Sequence, residues 1–293
     1  MLAKGVNLAL IQSPFIDLEK TLNSGQVFHW TRHKGGFIGA IGEQPVYVQQ
    51  KKGSLLVTEG CVQVVQHYLA LDHSLDLILS SFPQDSAFQV AKEFGSGMRI
   101  VRQPIWECLA TFLTSAMKRV EHIRAISLSL RRMFGRSLQG GGFEVYAYPR
   151  PEVLAEAPMG KLLECKLGFR ARNLSATAKR IHSEDLNLEY LKNAPTSVVR
   201  EELCSLPGVG KKIANCVLLF AYGRLDVVPI DVWIERALTK VYFSDRSKVP
   251  LKELAAFSEA YFGPYAGYAQ QYLFHHWRLS YRRNNDPRSA LPQ

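Results

Sequence analysis

The sequence predicts an α+β protein, with an N-terminal antiparallel β-rich domain followed by a larger, all-α region. Three observations predict it. Short β-favouring stretches between glycine turns occupy the early chain, and from about residue 61 the apolar period lengthens to that of a helix. The charge also divides unevenly along the 293 residues: the first 92 hold 7 basic and 7 acidic residues, the remaining 201 hold 29 and 19, and so the whole +10. The expected division is therefore 1–92 and 93–293.

Residues 37–41, 45–50 and 54–58 read as strands of a meander, punctuated by Gly35-Gly36, Gly42-Glu43 and Lys51-Lys52-Gly53. Val62, Val65, Tyr68 and Leu69 then share one helical face. An apolar helix is expected over 106–115 and another helix over 119–134. Gly140, Gly141 and Gly142, with Pro149 and Pro151, read as an exposed loop inside the helical region. The polar end, 282–293, reads as frayed.

Composition narrows the class. With 47% hydrophobic and 21% charged residues the balance is that of a globular protein. No uncharged apolar run approaches the ~18–20 residues of a membrane span. Residues 1–16 lack the uninterrupted apolar stretch and small-residue site of a secretory leader, so a cytoplasmic protein is expected if bacterial and a nuclear one if eukaryotic. Five cysteines, at 61, 108, 165, 204 and 216, are widely spaced and odd in number, which argues against a disulfide framework or zinc site. The basic second part suits a polyanion such as nucleic acid, or simply a solvated surface.

The sharpest local signal is Leu206-Pro207-Gly208-Val209-Gly210 followed by Lys211-Lys212. A helical stretch ends at Leu206, two glycines bracket a valine, and a new helix opens at Lys211, which is a helix-hairpin-helix turn. Gly208 and Gly210 let backbone approach a phosphate, and the following helix N-terminus presents N–H groups to it. An ordinary helical hairpin would use the same glycines without binding anything.

Lys212 and Cys216, four residues apart, lie on one face of the second helix. A lysine amine can act as nucleophile and form a Schiff base with a sugar carbon, or both lysines can simply bind phosphate. Nineteen residues on stands Val228-Pro229-Ile230-Asp231. Asp231 can cap the next helix, and facing a lysine across a groove it can also stabilise a cationic sugar or accept a proton.

These segments together resemble the signature of the helix-hairpin-helix GPD superfamily of DNA glycosylases, with Lys212 at the position of the nucleophilic lysine. No cysteine follows Cys216, unlike the iron–sulfur branch. Leu22-Asn23-Ser24-Gly25-Gln26-Val27-Phe28-His29-Trp30, Leu167-Gly168-Phe169-Arg170-Ala171-Arg172 and Tyr265-Ala266-Gly267-Tyr268-Ala269-Gln270 with Leu273-Phe274 resemble segments of the 8-oxoguanine DNA glycosylase family. The likeness runs from about residue 20 to 277, in one order.

The resemblance implies a TBP-like fold for the front domain and a role for each matched residue. Phe274 stacks on a flipped guanine, Cys216 lies on its other face, and Gln270 reads its Watson–Crick edge. The Gly25 carbonyl accepts the N7 proton that distinguishes 8-oxoguanine from guanine. Phe169 wedges the gap and Arg170 bonds the orphaned cytosine, while Gly208, Gly210 and Lys211 hold the backbone. Two departures from the family pattern stand out. Met117 and His122 replace the asparagine that occupies the vacated stack and the arginine that reads the opposite cytosine, which loosens the expected opposite-base choice. Trp233 replaces a histidine near the lesion's 5′ phosphate.

The expectation is a monomeric bifunctional glycosylase and β-lyase acting on double-stranded DNA that contains oxidised guanine, needing no redox cofactor or catalytic metal. The rivals are a glycosylase for another lesion and a catalytically silent damage sensor. A silent binder has no need of Lys212 and Asp231 at that spacing.

Overall fold

The structure is a computed structural model that describes residues 7–12 and 15–285. The front sheet consists of β1 (Leu8–Gln12), β2 (Thr31–His33), β3 (Gly36–Ile41), β4 (Gln44–Lys51) and β5 (Ser54–Thr58). All neighbours are antiparallel, in the order β1-β5-β4-β3-β2. The meander expected from 37 to 58 is therefore β3–β4–β5, with β1 and β2 added at the edges. Part of the segment weighed as a leader pairs as β1, while residues 1–6 and 13–14 lie outside the described residues.

Helix α1 (Leu18–Asn23) precedes β2, and α2 (Val62–Tyr68), α3 (Leu75–Ser80) and α4 (Ser86–Phe94) follow β5. Next come α5 (Ile105–Thr114), α6 (Val120–Phe134), α7 (Pro151–Glu156), α8 (Met159–Glu164) and α9 (Arg170–His182). The series closes with α10 (Thr196–Cys204), α11 (Lys211–Phe220), α12 (Val232–Tyr242), α13 (Leu251–Phe262) and α14 (Ala266–Asn285).

Three expectations change. The glycine run is the turn of a hairpin, not a free loop: β6 (Ser137–Gln139) and β7 (Glu144–Tyr146) pair across it, and Gly141 and Gly142 are exposed while Gly140 is buried against the Phe143 ring. Leu138 and Ala147 at its flanks pack on Ala40 of β3, which is why so short a hairpin holds. The helix before the hairpin stops at Cys204, two residues before Leu206. Residues 282–285 continue α14, and the rest of that tail, 286–293, lies outside the described residues.

Two apolar cores form. One lies under the sheet around Trp30, Val46, Val57 and Tyr68, and Val101 reaches it from beyond residue 92. The larger one gathers α3–α14, with Phe28 entering it from the front segment. Buried polar groups join the two. Arg99 donates to the carbonyls of Phe15 at 3.0 Å, Ala70 at 2.6 Å and His73 at 3.1 Å. Buried Glu107 on α5 accepts from Arg131 on α6 and lies 3.4 Å from His29 Nδ1. The Glu107–His29 contact ties the Ser24–Trp30 segment to α5, near which the site forms.

Candidate active site

The hairpin separates its apolar residues from its glycines. Leu206 and Val209 are buried, and Gly208 and Gly210 are exposed. Gly208 has φ +80, and a Cβ there would lie 2.2 Å from Asn173 Nδ2 on α9, so any other residue would be strained and would have to displace Asn173. Gly210 has open space around it and starts α11 with no side-chain cap. The first-turn N–H groups of α11, beside exposed Lys211, are thus left for an anion.

Next to it in the same turn, half-buried Lys212 meets three groups. Its Nζ is 5.4 Å from the ring centroid of Phe112 on α5, and its charge acts on the Cys216 thiol. It also acts electrostatically on Asp231. Burial pushes the Cys216 thiol up, and nearby Lys212 only partly offsets this, so at neutral pH Cys216 is a protonated apolar wall. Phe112 is itself held by stacking on Phe220, at 5.5 Å and 11°, and by the edge of Phe28 at 6.0 Å.

Asp231 is the N-cap of α12, where its Oδ1 accepts from the N–H groups of Trp233 at 3.0 Å and Ile234 at 2.9 Å. Burial raises its carboxyl, opposed by those N–H groups and by the positive charges of Lys212 and Arg278. Asn215 sets the distance between its segment and α11. It donates from Nδ2 to the Val228 carbonyl at 2.9 Å and accepts from Arg200 Nε of α10, also at 2.9 Å.

Helix α14 supplies a row at four-residue spacing: Gln270, Phe274 and Arg278. Phe274 packs on Gly25, whose φ is +93 and where a Cβ would lie 3.0 Å from Phe274 Cε1. The Arg278 guanidinium is 5.5 Å from the Phe274 ring centroid and donates to the Asn23 carbonyl at 3.2 Å. The Gly25 loop is fixed on both sides: Gln271 donates to the Ser24 carbonyl at 3.3 Å and Gln103 to the Gln26 carbonyl at 2.9 Å. Gln270 is 5% exposed, and its Oε1 has no hydrogen-bond partner among the described residues. An acceptor left so is set up for a ligand's donor.

Lys212, Cys216, Asp231, Phe274 and Gly25 therefore stand in one linked group, with Gln270 on the same row of α14. Phe169 lies apart from it at the start of α9, 61% exposed, with Met117, 91% exposed, as a second apolar tip. His122 is exposed in the first turn of α6. Trp233, in the first turn of α12, has the Arg236 guanidinium 5.8 Å from its ring centroid.

Arg170 does not match the expectation. It is 5% exposed, and its guanidinium donates to the carbonyls of Ala116, from Nε at 2.7 Å and from Nη2, and of Leu167 at 3.2 Å. Turned inward, it offers no exposed donor to an orphaned base. Helix position alone does not reveal this, because Ala116 is 54 residues away in sequence.

Residues 9–109 match the family described as 8-oxoguanine DNA glycosylase, N-terminal domain, and residues 111–261 match the HhH-GPD superfamily of base excision DNA repair proteins. The chain belongs to the 8-oxoguanine DNA glycosylase family of that superfamily. It is 28% identical to a probable N-glycosylase/DNA lyase of Methanothermobacter thermautotrophicus, over 90% of this chain and 94% of that one. Its fold is similar to the Clostridium acetobutylicum 8-oxoguanine glycosylase/lyase, solved with double-stranded DNA containing cytosine opposite 8-oxoguanine. The TM-score is 0.87 at 30% identity, covering 94% of this chain and 99% of that one. MBOgg1, solved with a low-affinity DNA ligand, gives 0.88 at 31%, covering 93% and 96%.

Within this family frame, the structure adds Phe112, Asn215 and Arg278 to the site. Phe112 and Asn215 read in sequence as helix core and helix surface. Arg278 sits one turn past the recognisable Phe274, and the four-residue spacing from Gln270 is the signal that points to it.

Proposed function

We propose that the protein is a monomeric bifunctional DNA glycosylase and β-lyase that removes 8-oxoguanine from double-stranded DNA. The observation that carries this reading is Lys212 beside both Cys216 and Asp231, on the hairpin helix whose open N-terminus suits a phosphate.

The target nucleotide leaves the stack, and its base enters between Phe274 and Cys216. Its N7–H donates to the Gly25 carbonyl, a fixed acceptor that has nothing to receive from guanine. The Gln270 amide reads the Watson–Crick edge. An unmade hydrogen bond at a buried acceptor costs about 1–3 kcal/mol, or about 5- to 150-fold against the wrong base.

The Lys212 amine lone pair attacks C1′, and the C1′–N9 bond breaks with its electron pair leaving on the base. Asp231 stabilises the positive charge that develops on the sugar. Loss of the Nζ proton and opening of the sugar ring give the Schiff base. Removal of a C2′ proton then expels the 3′ phosphate oxygen by β-elimination, nicking the strand 3′ to the lesion.

Single-turnover excision from otherwise identical duplexes carrying 8-oxoguanine, guanine or an alkylated purine tests the substrate. The 8-oxoguanine duplex is expected to react at least 100-fold faster than the other two. Faster release of the alkylated purine would contradict the reading.

A further inference from the structure

The ring of Phe274 already carries a cation. Arg278 stands one turn beyond it on α14, 5% exposed, with its guanidinium 5.5 Å from the ring centroid. It donates to the Asn23 carbonyl at 3.2 Å, two residues before Gly25. A planar guanidinium can meet a ring and hold a carbonyl at once, so Arg278 is part of the pocket's frame. Phe274 is half-buried, which leaves ring surface for a base. Lys212 is a second cation of this pocket and Asp231 its carboxylate, and Arg278 acts electrostatically on Asp231 as well. Neighbouring His275 is held down to about 4, first by burial and then by the charge of Arg278, and so is neutral.

We propose that Arg278 determines specificity by charge: acting through the Phe274 ring, it admits a neutral oxidised purine and turns away a cationic, alkylated purine of similar shape. The inference rests on the glycosylase reading and names the class of lesion that this base pocket excludes. A purine nucleotide methylated at N7 or N3 carries a positive charge, and 8-oxoguanine carries none. An aromatic ring attracts a cation through the negative quadrupole of its face. With a guanidinium beside the ring, that attraction is already used, and a second cation stacking there meets a like charge away from water. An electron-rich neutral base meets instead a ring polarised in its favour. Lys212 adds to the repulsion, and Asp231, engaged by the N–H groups of Trp233 and Ile234, offsets part of it.

The test needs two bases of one shape and different charge. Duplexes carry 7-methylguanine or its neutral isostere 7-methyl-7-deazaguanine opposite cytosine, each with a 2′-fluorine that keeps the glycosidic bond intact. Duplexes with 2′-fluorinated 8-oxoguanine or guanine serve as reference. Affinities are measured by fluorescence anisotropy in mildly acidic buffer, where 7-methylguanine keeps its N1 proton and its charge. The N7 methyl meets the Gly25 carbonyl equally in both isosteres, so their ratio reads charge alone, and a ratio within one preparation is independent of the fraction folded. The wild type is expected to bind the neutral isostere roughly tenfold more tightly, as for unit charges about 10 Å apart at an effective dielectric of about 20. Arg278→Met should abolish that preference. Arg278→Lys, which keeps the charge and loses the planar fork, should retain most of it.

Equal affinity of the wild type for the two isosteres would overturn the proposal, as would a preference that survives in Arg278→Met. Equal loss of the preference in Arg278→Met and Arg278→Lys would also overturn it, since geometry and not charge would then decide. Each of these results leaves the substrate reading standing while the wild type still favours 8-oxoguanine over guanine. Wild-type protein that binds those two duplexes alike would overturn the substrate reading, and the charge filter with it.

Discussion

Phe274 and Gly25 are in contact across the joint between α14 and the early loop, so close that a methyl at Gly25 would lie 3.0 Å from Phe274 Cε1. The same methyl would lie 3.5 Å from Val120 at the start of α6, and the backbone there has φ +93. Gly25→Ala is expected to cost about 1–2 kcal/mol in the left-handed conformation. It should also lower excision by about 100-fold, since the carbonyl that reads N7–H moves with the loop. Urea unfolding and single-turnover excision check the two parts separately.

Asp231 combines a structural and a chemical task that substitution can separate. Asn keeps an oxygen for the N–H groups of Trp233 and Ile234, so Asp231→Asn should fold and lose excision by at least 100-fold. Asp231→Ala loses the cap as well, about 1 kcal/mol. Circular dichroism melts and excision rates distinguish the two variants.

The pH dependence of Asp231 has a definite sign. Burial raises its carboxyl in the folded state, so the charged form is penalised there and not in the unfolded chain. The penalty is absent below the unfolded value, about 3.9, and grows as pH rises from there to the folded value. Asp231→Asn should therefore be more stable than wild type at neutral pH, with the difference vanishing below about pH 4. Excision by the wild type, which needs the carboxylate, should fall on the acid side at a higher pH than an ordinary aspartate would give. A pH series of melts and rates measures both.

Asn215 links α10, α11 and the segment ahead of Asp231 through bonds of 2.9 Å to Arg200 and to the Val228 carbonyl. Asn215→Ala is expected to cost about 1–3 kcal/mol through the unsatisfied carbonyl and guanidinium. The cost in kcat should exceed that in KM, because the distance between Lys212 and Asp231 loosens while the DNA surface stays. Steady-state kinetics would show the split.

The buried Glu107 holds Arg131 and faces His29, which burial and the charge of Arg131 keep well below the usual histidine range and so neutral. Glu107→Ala leaves a buried guanidinium unpaired, at about 3–5 kcal/mol. Replacing Glu107 and Arg131 together by leucines should cost less than that single change. Urea midpoints of the two variants decide the point.

Where local spacing carries the information, the sequence is readable. The strands over 37–58 and the helices either side of the hairpin appear within one or two residues, because alternation and glycine turns are local patterns. Strands β1 and β2 carry no clear local pattern: Leu10 of β1 is exposed, and β2 is three residues long. The pairing of β6 with β7 around the exposed glycines is not legible locally, because its support comes from Ala40, about a hundred residues earlier. In the site, Lys212, Asp231 and Phe274 announce themselves by motif. The inward turn of Arg170 depends on a carbonyl that only the folded chain brings near. Phe112, one phenylalanine on an apolar helix, looks like any core residue until Lys212 lies over its ring.

The central claim is that Lys212 forms a covalent link with the sugar of an 8-oxoguanine nucleotide. Borohydride trapping on a duplex with one 8-oxoguanine opposite cytosine tests it directly, with Lys212→Gln alongside. The account predicts a covalent protein–DNA adduct from the wild type and none from the variant. Folded wild-type protein that binds this duplex and is never trapped, or an adduct that survives in Lys212→Gln, would contradict it.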